Sequence, residues 1–497
     1  MSTIGELTTL QGSGLVDVAA TVPELEYLFR HALVQDAAYS SLLKQDRRTL
    51  HRRAAEALIA IYPERKQELA ALIAMHFEQA GDAAAAAEYL VIAGEHAAER
   101  FANREALGFF DRAVGLLPAD DPRIDLRLRA IIGQGRVGFT FTGTDAFIER
   151  LEKIIVEAET RADRRLVADA YFWLAFIRRW RGEQASTSPA LKRALDRAAK
   201  IREELGDPAA NAFPKAFLGV GQIFSGQLRE GTKEAQEALD VIAKDKTAEP
   251  VSTGMLFNFL AMGYARLGEF AAAEHALAQS VGLGARGDEI SRLDVNIART
   301  GLEIERGDLA QSVTRATQCA EQAEALGAVA CAVGANIYLG AGRLYQEDVL
   351  GAKQPVERGL ELSSMTNMVP MRTVAQALAG SVRARLGDAP AGLAGWGEAL
   401  ATARGMADKY GEAVTLWNRG RTYARQAQPD YGAAIADLDE AARQFEAMEA
   451  RPALARVLRD RATVLRALER AGEADEADRR SRDLARELGL RDFPEAA

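Results

Sequence analysis

The hydrophobic pattern of residues 255–280 predicts two short amphipathic helices folded back on each other. Phe257 and Tyr264 are two helical turns apart and fall on one apolar face. Gly268 predicts the end of this helix, because glycine readily adopts the left-handed conformation that terminates helices. Phe270 then begins a second apolar stripe. Neither helix can bury its stripe alone, so the exposed edge must be covered by another copy of the same unit.

Glycine breaks of this kind recur along most of the chain. They lie at Gly143, Gly182, Gly226, Gly268 and Gly307, and then at Gly387 and Gly472. The last two intervals are each long enough for two units, so we expect turns without a glycine near Glu347 and Asp430. This spacing of roughly 40 residues predicts about nine helical hairpins after residue 123.

The residues of this unit resemble the tetratricopeptide repeat. The matching positions are Phe257, Leu260, Ala261, Tyr264, Leu267-Gly268, Phe270, Ala273 and Leu277, although Ala285 stands where that family often has proline. The resemblance implies an all-α, tetratricopeptide-like α-solenoid, a right-handed superhelix of helical hairpins, over residues 123–492. The longer period implies longer helices, as in the sensor superhelix of maltose-regulator-type proteins.

The first part of the chain has a different pattern. Residues 14–30 alternate apolar and polar positions on either side of Pro23, which predicts a β-hairpin. Helical patterns follow, so we expect a small winged-helix-like segment at residues 1–62 and the first helical hairpins at residues 63–122.

A second resemblance covers essentially the whole chain, and it is strong over residues 25–117. The residues that carry it are Tyr27-Leu-Phe-Arg-His31-Ala-Leu-Val-Gln-Asp36-Ala-Ala-Tyr39, Arg47-Arg48, Leu50-His51 and Ala54. They look like the segment that joins a STAND-type ATPase to its repeats in bacterial signalling proteins, some of which begin with a class III adenylate/guanylate cyclase. The sequence contains neither a G-x-x-x-x-G-K-[ST] loop nor a cyclase metal site, so we assign no catalytic activity to this chain.

Composition excludes several further classes. The 497 residues carry a net charge of -9 with acids and bases interspersed, which disfavours nucleic acid as a partner. Cys319 and Cys331 are the two cysteines and suggest neither a disulfide framework nor a zinc site. With no membrane-spanning stretch in the sequence, we expect a cytoplasmic protein without a cofactor or metal.

One glycine pattern has a dinucleotide-binding spacing. Gly133-Gln-Gly135-Arg-Val-Gly138 fits G-x-G-x-x-G, but no helix or acidic residue follows where such a site needs them. We therefore interpret this segment as the first helix of the repeat that is broken at Gly143.

An aromatic cluster at residues 171–180 gives the strongest indication of a binding surface. Counted from Gly182 and the next two breaks, nine positions are predicted to face the groove. They are Phe172, Phe176, Arg179, Trp180, Val220, Ile223, Phe224, Asn258 and Met262. Aromatic and arginine side chains in a concave surface are typical of binding hot spots. The alternative is that these rings pack helix against helix.

Two further candidates lie in the first segment. The resemblance makes His31 a candidate for the winged-helix histidine that contacts a nucleotide phosphate, and the alternative is a histidine that orders the strand-to-helix turn. Lys44, Arg48 and Arg52 lie four residues apart on one predicted helix face. This face is a candidate contact for a partner domain or for DNA phosphates, or it is simply solvated.

As the resemblance implies, we expect a non-catalytic sensor scaffold. It would bind a protein, peptide or small-molecule signal in its groove and couple it to an ATPase or nucleotide-cyclase module, in cis or in trans. A free-standing protein–protein adaptor and the sensor part of a transcription activator remain alternatives.

Overall fold

The computed structural model describes most of the chain. The described residues are 3–20, 26–100, 102–139, 141, 144–183, 188–206, 212–244, 250–284, 289–366 and 368–493. They fall into two compact units, one formed by residues 1–96 with 108–121 and the other by residues 97–107 with 122–497. No helix among them is both long enough and apolar enough to cross a membrane.

The first 121 residues contain a β-hairpin and six α-helices within the described ranges. The elements are α1 (Thr3–Gly12), β1 (Val16–Ala20), β2 (Glu26–Phe29), α2 (Ala32–Ser41), α3 (Lys44–Ile61), a 3-10 turn (Pro63–Arg65), α4 (Ala70–Ala80), α5 (Ala83–Glu99) and α6 (Asn103–Leu116). The predicted hairpin is confirmed, because Val16 pairs with Phe29 in an antiparallel ladder. Its turn, expected around Pro23, lies outside the described residues.

The remaining helices follow one another in antiparallel pairs. They are α7 (Ile124–Gly138), α8 (Asp145–Arg161), α9 (Arg164–Trp180), α10 (Pro189–Glu204), α11 (Ala212–Ser225), α12 (Leu228–Ile242), α13 (Pro250–Leu267), α14 (Phe270–Gly284), α15 (Glu289–Arg306), α16 (Leu309–Leu326), α17 (Val329–Tyr345), α18 (Val349–Met365), α19 (Val369–Arg385), α20 (Ala389–Gly405), α21 (Lys409–Ala424), α22 (Tyr431–Ala447), α23 (Arg451–Ala467) and α24 (Ala471–Leu488). Over the described residues this makes nine hairpins, as the glycine spacing predicts, and the all-α solenoid class is confirmed.

The turns inside the hairpins follow the glycine spacing closely. Gly182, Gly226, Gly268, Gly307 and Gly387 all have positive φ. The turn without a glycine expected near Glu347 is also present, with Glu347 itself at φ 68. Gly472 does not mark a turn, since α24 already begins at Ala471 and the left-handed residue is Glu469 at φ 60. Gly143 lies outside the described residues.

Small residues let the helices approach closely. A Cβ atom added at Gly219 of α11 would lie 2.7 Å from the backbone nitrogen of Ala235 in α12. Any larger side chain there would force the two helices apart. The dinucleotide-like glycines at 133–138 also lie in a helix, α7, which agrees with their interpretation as repeat residues.

The second unit closes on itself after about five hairpins. Helix α11 contacts α21, and both α13 and α15 contact α23. Side chains reinforce these contacts: Arg229 after α11 pairs with Glu449 after α22 at 2.8 Å. Arg104, which belongs to the same unit, donates to the carbonyl oxygen of Leu326 at 3.0 Å. The superhelix therefore winds tightly enough for successive turns to pack directly on each other.

Candidate functional site

A cavity of about 230 Å³ lies in the lumen of this superhelix. Its wall is formed by the first helix of eight successive hairpins, α9, α11, α13, α15, α17, α19, α21 and α23, together with Met368 just before α19 and Asp408 just before α21. Because α21 and α23 belong to the next superhelical turn, the wall depends on the closure described above. We call this space the lumen cavity.

Most of the wall is apolar. Phe176, Val220, Met262 and Val414 all contribute to it. Trp417 of α21 adds an indole ring that stacks on Tyr345 of α17 with ring centres 5.3 Å apart. Such a surface favours a ligand with a hydrophobic body.

The wall repeats with the register of the hairpins. The residue two positions before each left-handed turn residue lines the cavity in five consecutive hairpins: Trp180, Phe224, Arg266, Glu305 and Tyr345. The residue four positions earlier does the same: Phe176, Val220, Met262, Gly301 and Ala341. Equivalent positions therefore place unlike side chains around one space.

Arg179 is the most unusual group on this wall. Only 7% of the residue is exposed, and its Cζ lies 4.6 Å from the centre of the Phe224 ring. Its Nε and Nη2 atoms have no hydrogen-bond partner in the part of the chain that the structure describes. Burial lowers the pKa of the guanidinium to about 10, and the charge of Asp408 opposes that shift. Arg179 is thus a buried cation at neutral pH that interacts with the charge of Asp408, and its Nε and Nη2 donors remain unpaired among the described residues.

Three acidic residues also face the lumen cavity, and each already has a partner. Asp408 accepts from the backbone nitrogen of Gly411 at 2.8 Å and caps α21. Asp294 accepts from Nδ2 of Asn258 at 2.7 Å. Burial raises the pKa of Asp408 and of Asp294 above the ordinary value.

Glu305 joins the two superhelical turns. Its Oε1 accepts from the Tyr410 hydroxyl at 2.7 Å, and Arg456 lies 3.8 Å from its Oε2. Burial raises the pKa of Tyr410 well above its ordinary value, so this hydroxyl remains a donor. Glu305, the third acid of the wall, therefore links α15 to α21 and α23.

Seven of the nine residues predicted to face the groove line the cavity. They are Phe176, Arg179, Trp180, Val220, Phe224, Asn258 and Met262. Phe172 and Ile223 are placed elsewhere: Phe172 is buried among the rings of Trp173, Phe213 and Phe217, and Ile223 is fully buried in the core. Their helix faces are turned toward neighbouring helices.

The candidates of the first segment occupy exposed positions. His31 follows β2, and its carbonyl oxygen accepts from Val34 N at 3.0 Å at the start of α2. Lys44, Arg48 and Arg52 are exposed along α3, and Arg52 pairs with Asp82 at 2.8 Å. Arg48 packs beside Gly81, whose added Cβ would lie 3.5 Å from its Nε.

Sequence reasoning missed several wall residues. Arg266, Glu305 and Tyr345 follow from the register that gives Trp180 and Phe224, so counting two residues back from each break would have found them. Asp408, Tyr410, Trp417 and Arg456 carry no such signal. They line the cavity only because α21 and α23, in the next superhelical turn, pack against α11, α13 and α15.

Comparisons with known proteins give distant similarities. No protein-family model matches the chain. An uncharacterized protein of Rhizobium meliloti (strain 1021) is 28% identical over 162 residues, which cover 31% of this chain and 15% of that protein. The match thus spans a small part of a much longer relative.

Solved structures with similar helical arrangements are also distant. The Rap conjugation gene regulator of the plasmid pLS20 is 10% identical, with 74% of this chain and 96% of that chain covered and a TM-score of 0.47. The quorum sensor NprR from B. thuringiensis is 13% identical, with 73% and 99% covered and a TM-score of 0.44. A STAND protein with a tetratricopeptide repeat sensor from Pyrococcus horikoshii is 12% identical, with 99% and 60% covered and a TM-score of 0.35. Similarity at this level transfers no function to the chain.

Proposed function

We propose that this chain is a sensor scaffold that binds a compact small molecule in the lumen cavity. The supporting observation is an apolar cavity of about 230 Å³ whose wall is drawn from eight helices and two superhelical turns. An apolar cavity of roughly 150 Å³ in another protein holds benzene, so this space is large enough for a small organic ligand. Seven residues named from the sequence as groove-facing contribute to its wall.

Ligand binding would be read out through the closure of the superhelix. A ligand that contacts α9 to α19 and also α21 and α23 stabilises the conformation in which the turns touch. Arg266 and Tyr410, which pack on each other across the turns, both line the cavity. Occupancy would therefore shift the equilibrium between a tight and a looser superhelix.

The output proposed for this sensor is an ATPase or nucleotide-cyclase module, in the same polypeptide or on a partner. The support is the resemblance of residues 27–54 to the segment that joins STAND-type ATPases to their repeats. Reading the genome upstream of Met1 tests this part directly. An in-frame phosphate-binding loop supports it, whereas a stop codon close upstream favours a free-standing adaptor.

Binding in the lumen cavity is tested with fluorobenzene, a compact neutral probe, by fluorine NMR on the full chain. We expect saturable binding that is lost in Ala298→Phe, because Ala298 lines the cavity and a phenyl ring there would fill much of it. Ala271→Phe is the matched control, since Ala271 is exposed on α14. Unchanged binding in Ala298→Phe, in a variant that keeps its melting temperature, would refute the proposed cavity.

Coupling is tested by hydrogen exchange with and without fluorobenzene. The proposal expects slower exchange in α21 and α23 when the cavity is occupied, because the ligand stabilises contacts between turns. Protection confined to α9 and α11 would mean that binding does not reach the next turn.

A further inference from the structure

The electrostatics of the lumen cavity indicate the kind of ligand it takes. This inference rests on the proposed ligand-binding role of the cavity and concerns the chemistry of its occupant. A buried charge is stable only when it is paired or when an occupant supplies the missing partner.

Arg179 carries two N–H donors that lack an acceptor within the described residues. It is 7% exposed and lines the cavity, and the two donors are Nε and Nη2. The Phe224 ring lies against the guanidinium, with Cζ 4.6 Å from the ring centre. A guanidinium presents its N–H groups in a planar fork that matches the two oxygens of a carboxylate.

A second donor without an acceptor belongs to the next residue along the chain. Trp180 Nε1 also has no hydrogen-bond partner within the described residues, and Trp180 lines the same cavity. Its ring is fixed by packing against Phe139 and Phe176, with ring centres 5.2 Å and 6.3 Å away. Two buried donors in neighbouring positions call for an acceptor on the ligand.

The acids of the wall do not supply that acceptor. Asp408 caps α21 through Gly411, Asp294 accepts from Asn258, and Glu305 accepts from Tyr410. Among the described residues, none of these three carboxylates accepts a hydrogen bond from Nε or Nη2 of Arg179.

We propose that the lumen cavity binds a compact organic acid whose apolar body fills the cavity and whose carboxylate pairs with Arg179, with Trp180 Nε1 as an additional donor. A carboxylate can arrive on a free acid or on the C-terminus of a peptide. The cavity volume of about 230 Å³ favours the free acid.

The test uses three fluorophenyl probes of similar size and different charge, measured on the full chain by fluorine NMR. They are para-fluorophenylacetate, its neutral amide and para-fluorophenethylamine. We expect the acid to bind about 10- to 100-fold more tightly than the amide, the usual range for hydrogen bonds to a charged group, and the amine to bind most weakly.

Arg179→Met should remove the preference for the acid while leaving binding of the amide within about threefold. Arg193→Met, an exposed arginine on α10, is the matched control and should change neither. Arg179→Lys keeps the charge without the planar fork and should retain part of the preference. The melting temperature of ligand-free Arg179→Met should equal or exceed that of the wild type, because the substitution removes an unpaired buried cation.

Each outcome is decisive. Equal binding of acid and amide, tighter binding of the amine, or an acid preference that survives in Arg179→Met would overturn the assignment. If fluorobenzene binds but the acid, the amide and the amine all fail to bind, the acid assignment fails while the proposed sensor function stands. If fluorobenzene also fails to bind, the proposed function fails with it.

The two sources of the carboxylate are separated by a peptide arm. A tripeptide ending in phenylalanine is compared with its C-terminal amide and with para-fluorophenylacetate. Tighter binding of the free tripeptide than of the small acid would assign the site to peptide C-termini and would refute the compact-acid proposal.

Discussion

The guanidinium of Arg266 lies over the ring of Tyr410, with Cζ 3.8 Å from the ring centre. Arg266 ends α13 and Tyr410 begins α21, so this cation–π contact joins two superhelical turns. An arginine over a tyrosine face contributes roughly 0.5–2 kcal/mol, more when water is excluded. The closure of the superhelix thus depends on a few side chains whose removal can be measured.

Tyr410→Phe keeps the ring under Arg266 and removes the hydroxyl that donates to Glu305 at 2.7 Å. We expect the free energy of unfolding to fall by about 1.5–3 kcal/mol, because a carboxylate loses a hydrogen bond. Urea denaturation measures this change, and hydrogen exchange should localise it to α15 and α21. Tyr431→Phe, at a half-buried position at the start of α22, should stay within about 0.5 kcal/mol. Equal effects of the two changes would contradict a role for the hydroxyl in closure.

Asp492→Ala is expected to be strongly destabilising. Arg456, which is 5% exposed, donates to Asp492 from Nε at 2.8 Å and from Nη2 at 3.0 Å. Removing the carboxylate takes away the closest anionic partner of this buried cation and leaves Glu305 at 3.8 Å, so we expect a loss of about 3–5 kcal/mol, the usual cost of breaking a buried ion pair. The double variant Arg456→Met, Asp492→Ala should recover much of the loss, and a double-mutant cycle in urea tests this.

The control for that cycle is Asp483→Ala, whose pairing with Arg486 at 3.0 Å is exposed. A change of less than about 1 kcal/mol is expected there. If Asp492→Ala is equally mild, the segment after α24 does not hold the superhelix together.

Two glycines with the same backbone conformation separate backbone strain from crowding. Gly387→Ala places a Cβ in open space at φ 99, so it should cost only the left-handed strain of about 1–2 kcal/mol. Gly307→Ala has φ 89, and its Cβ would also lie 2.6 Å from the backbone nitrogen of Asp492. Thermal unfolding should therefore show a clearly larger loss for Gly307→Ala. Equal losses would show that the segment around Asp492 can move away from the added Cβ without a further loss of stability.

Glu159 gives a pH-dependent prediction. The hydrogen bond from Arg197, at 2.6–2.8 Å, lowers the pKa of Glu159 below its ordinary value of 4.5 in spite of partial burial. Its contribution to stability is therefore present above pH 4.5 and lost as the pH falls through the lower pKa of the folded state. Glu159→Gln should lower the melting temperature at pH 7, and the difference from the wild type should shrink below pH 4.5.

The exposed Glu237→Gln serves as the control and should leave the melting temperature unchanged across this range. A Glu159→Gln difference that stays constant with pH would mean that the carboxylate does not contribute through its charge.

The hairpin order could be predicted from the sequence because most turns use glycine. Glycine adopts positive φ without a Cβ clash, so its spacing records where the helices end. Turns at Glu347, Ala407, Glu449 and Glu469 also have positive φ, and these residue types give no such signal. Such a turn could be predicted only where the interval between two glycine turns was long enough for two hairpins, as at Glu347.

Only the part of the candidate site that lies on the first superhelical turn could be predicted from the sequence. Register alone places Arg179, Trp180 and Phe224 on the inner face, because equivalent positions of a repeat face the same way. It does not reveal that Tyr410 and Trp417 complete the wall, since that depends on the angle accumulated over about five hairpins. Small rotations per repeat are set by side-chain packing and add up over the superhelix, so local patterns do not specify them.

The contact between successive turns also fixes how many hairpins the second unit can have. An open solenoid tolerates gain or loss of a repeat, because each repeat touches only its neighbours. Here Arg229 must meet Glu449, and α13 must meet α23, across a set number of intervening hairpins. Duplicating or deleting one hairpin would bring the wrong surfaces together, so natural length variation in proteins of this shape should be confined to the connecting loops and the ends of the array.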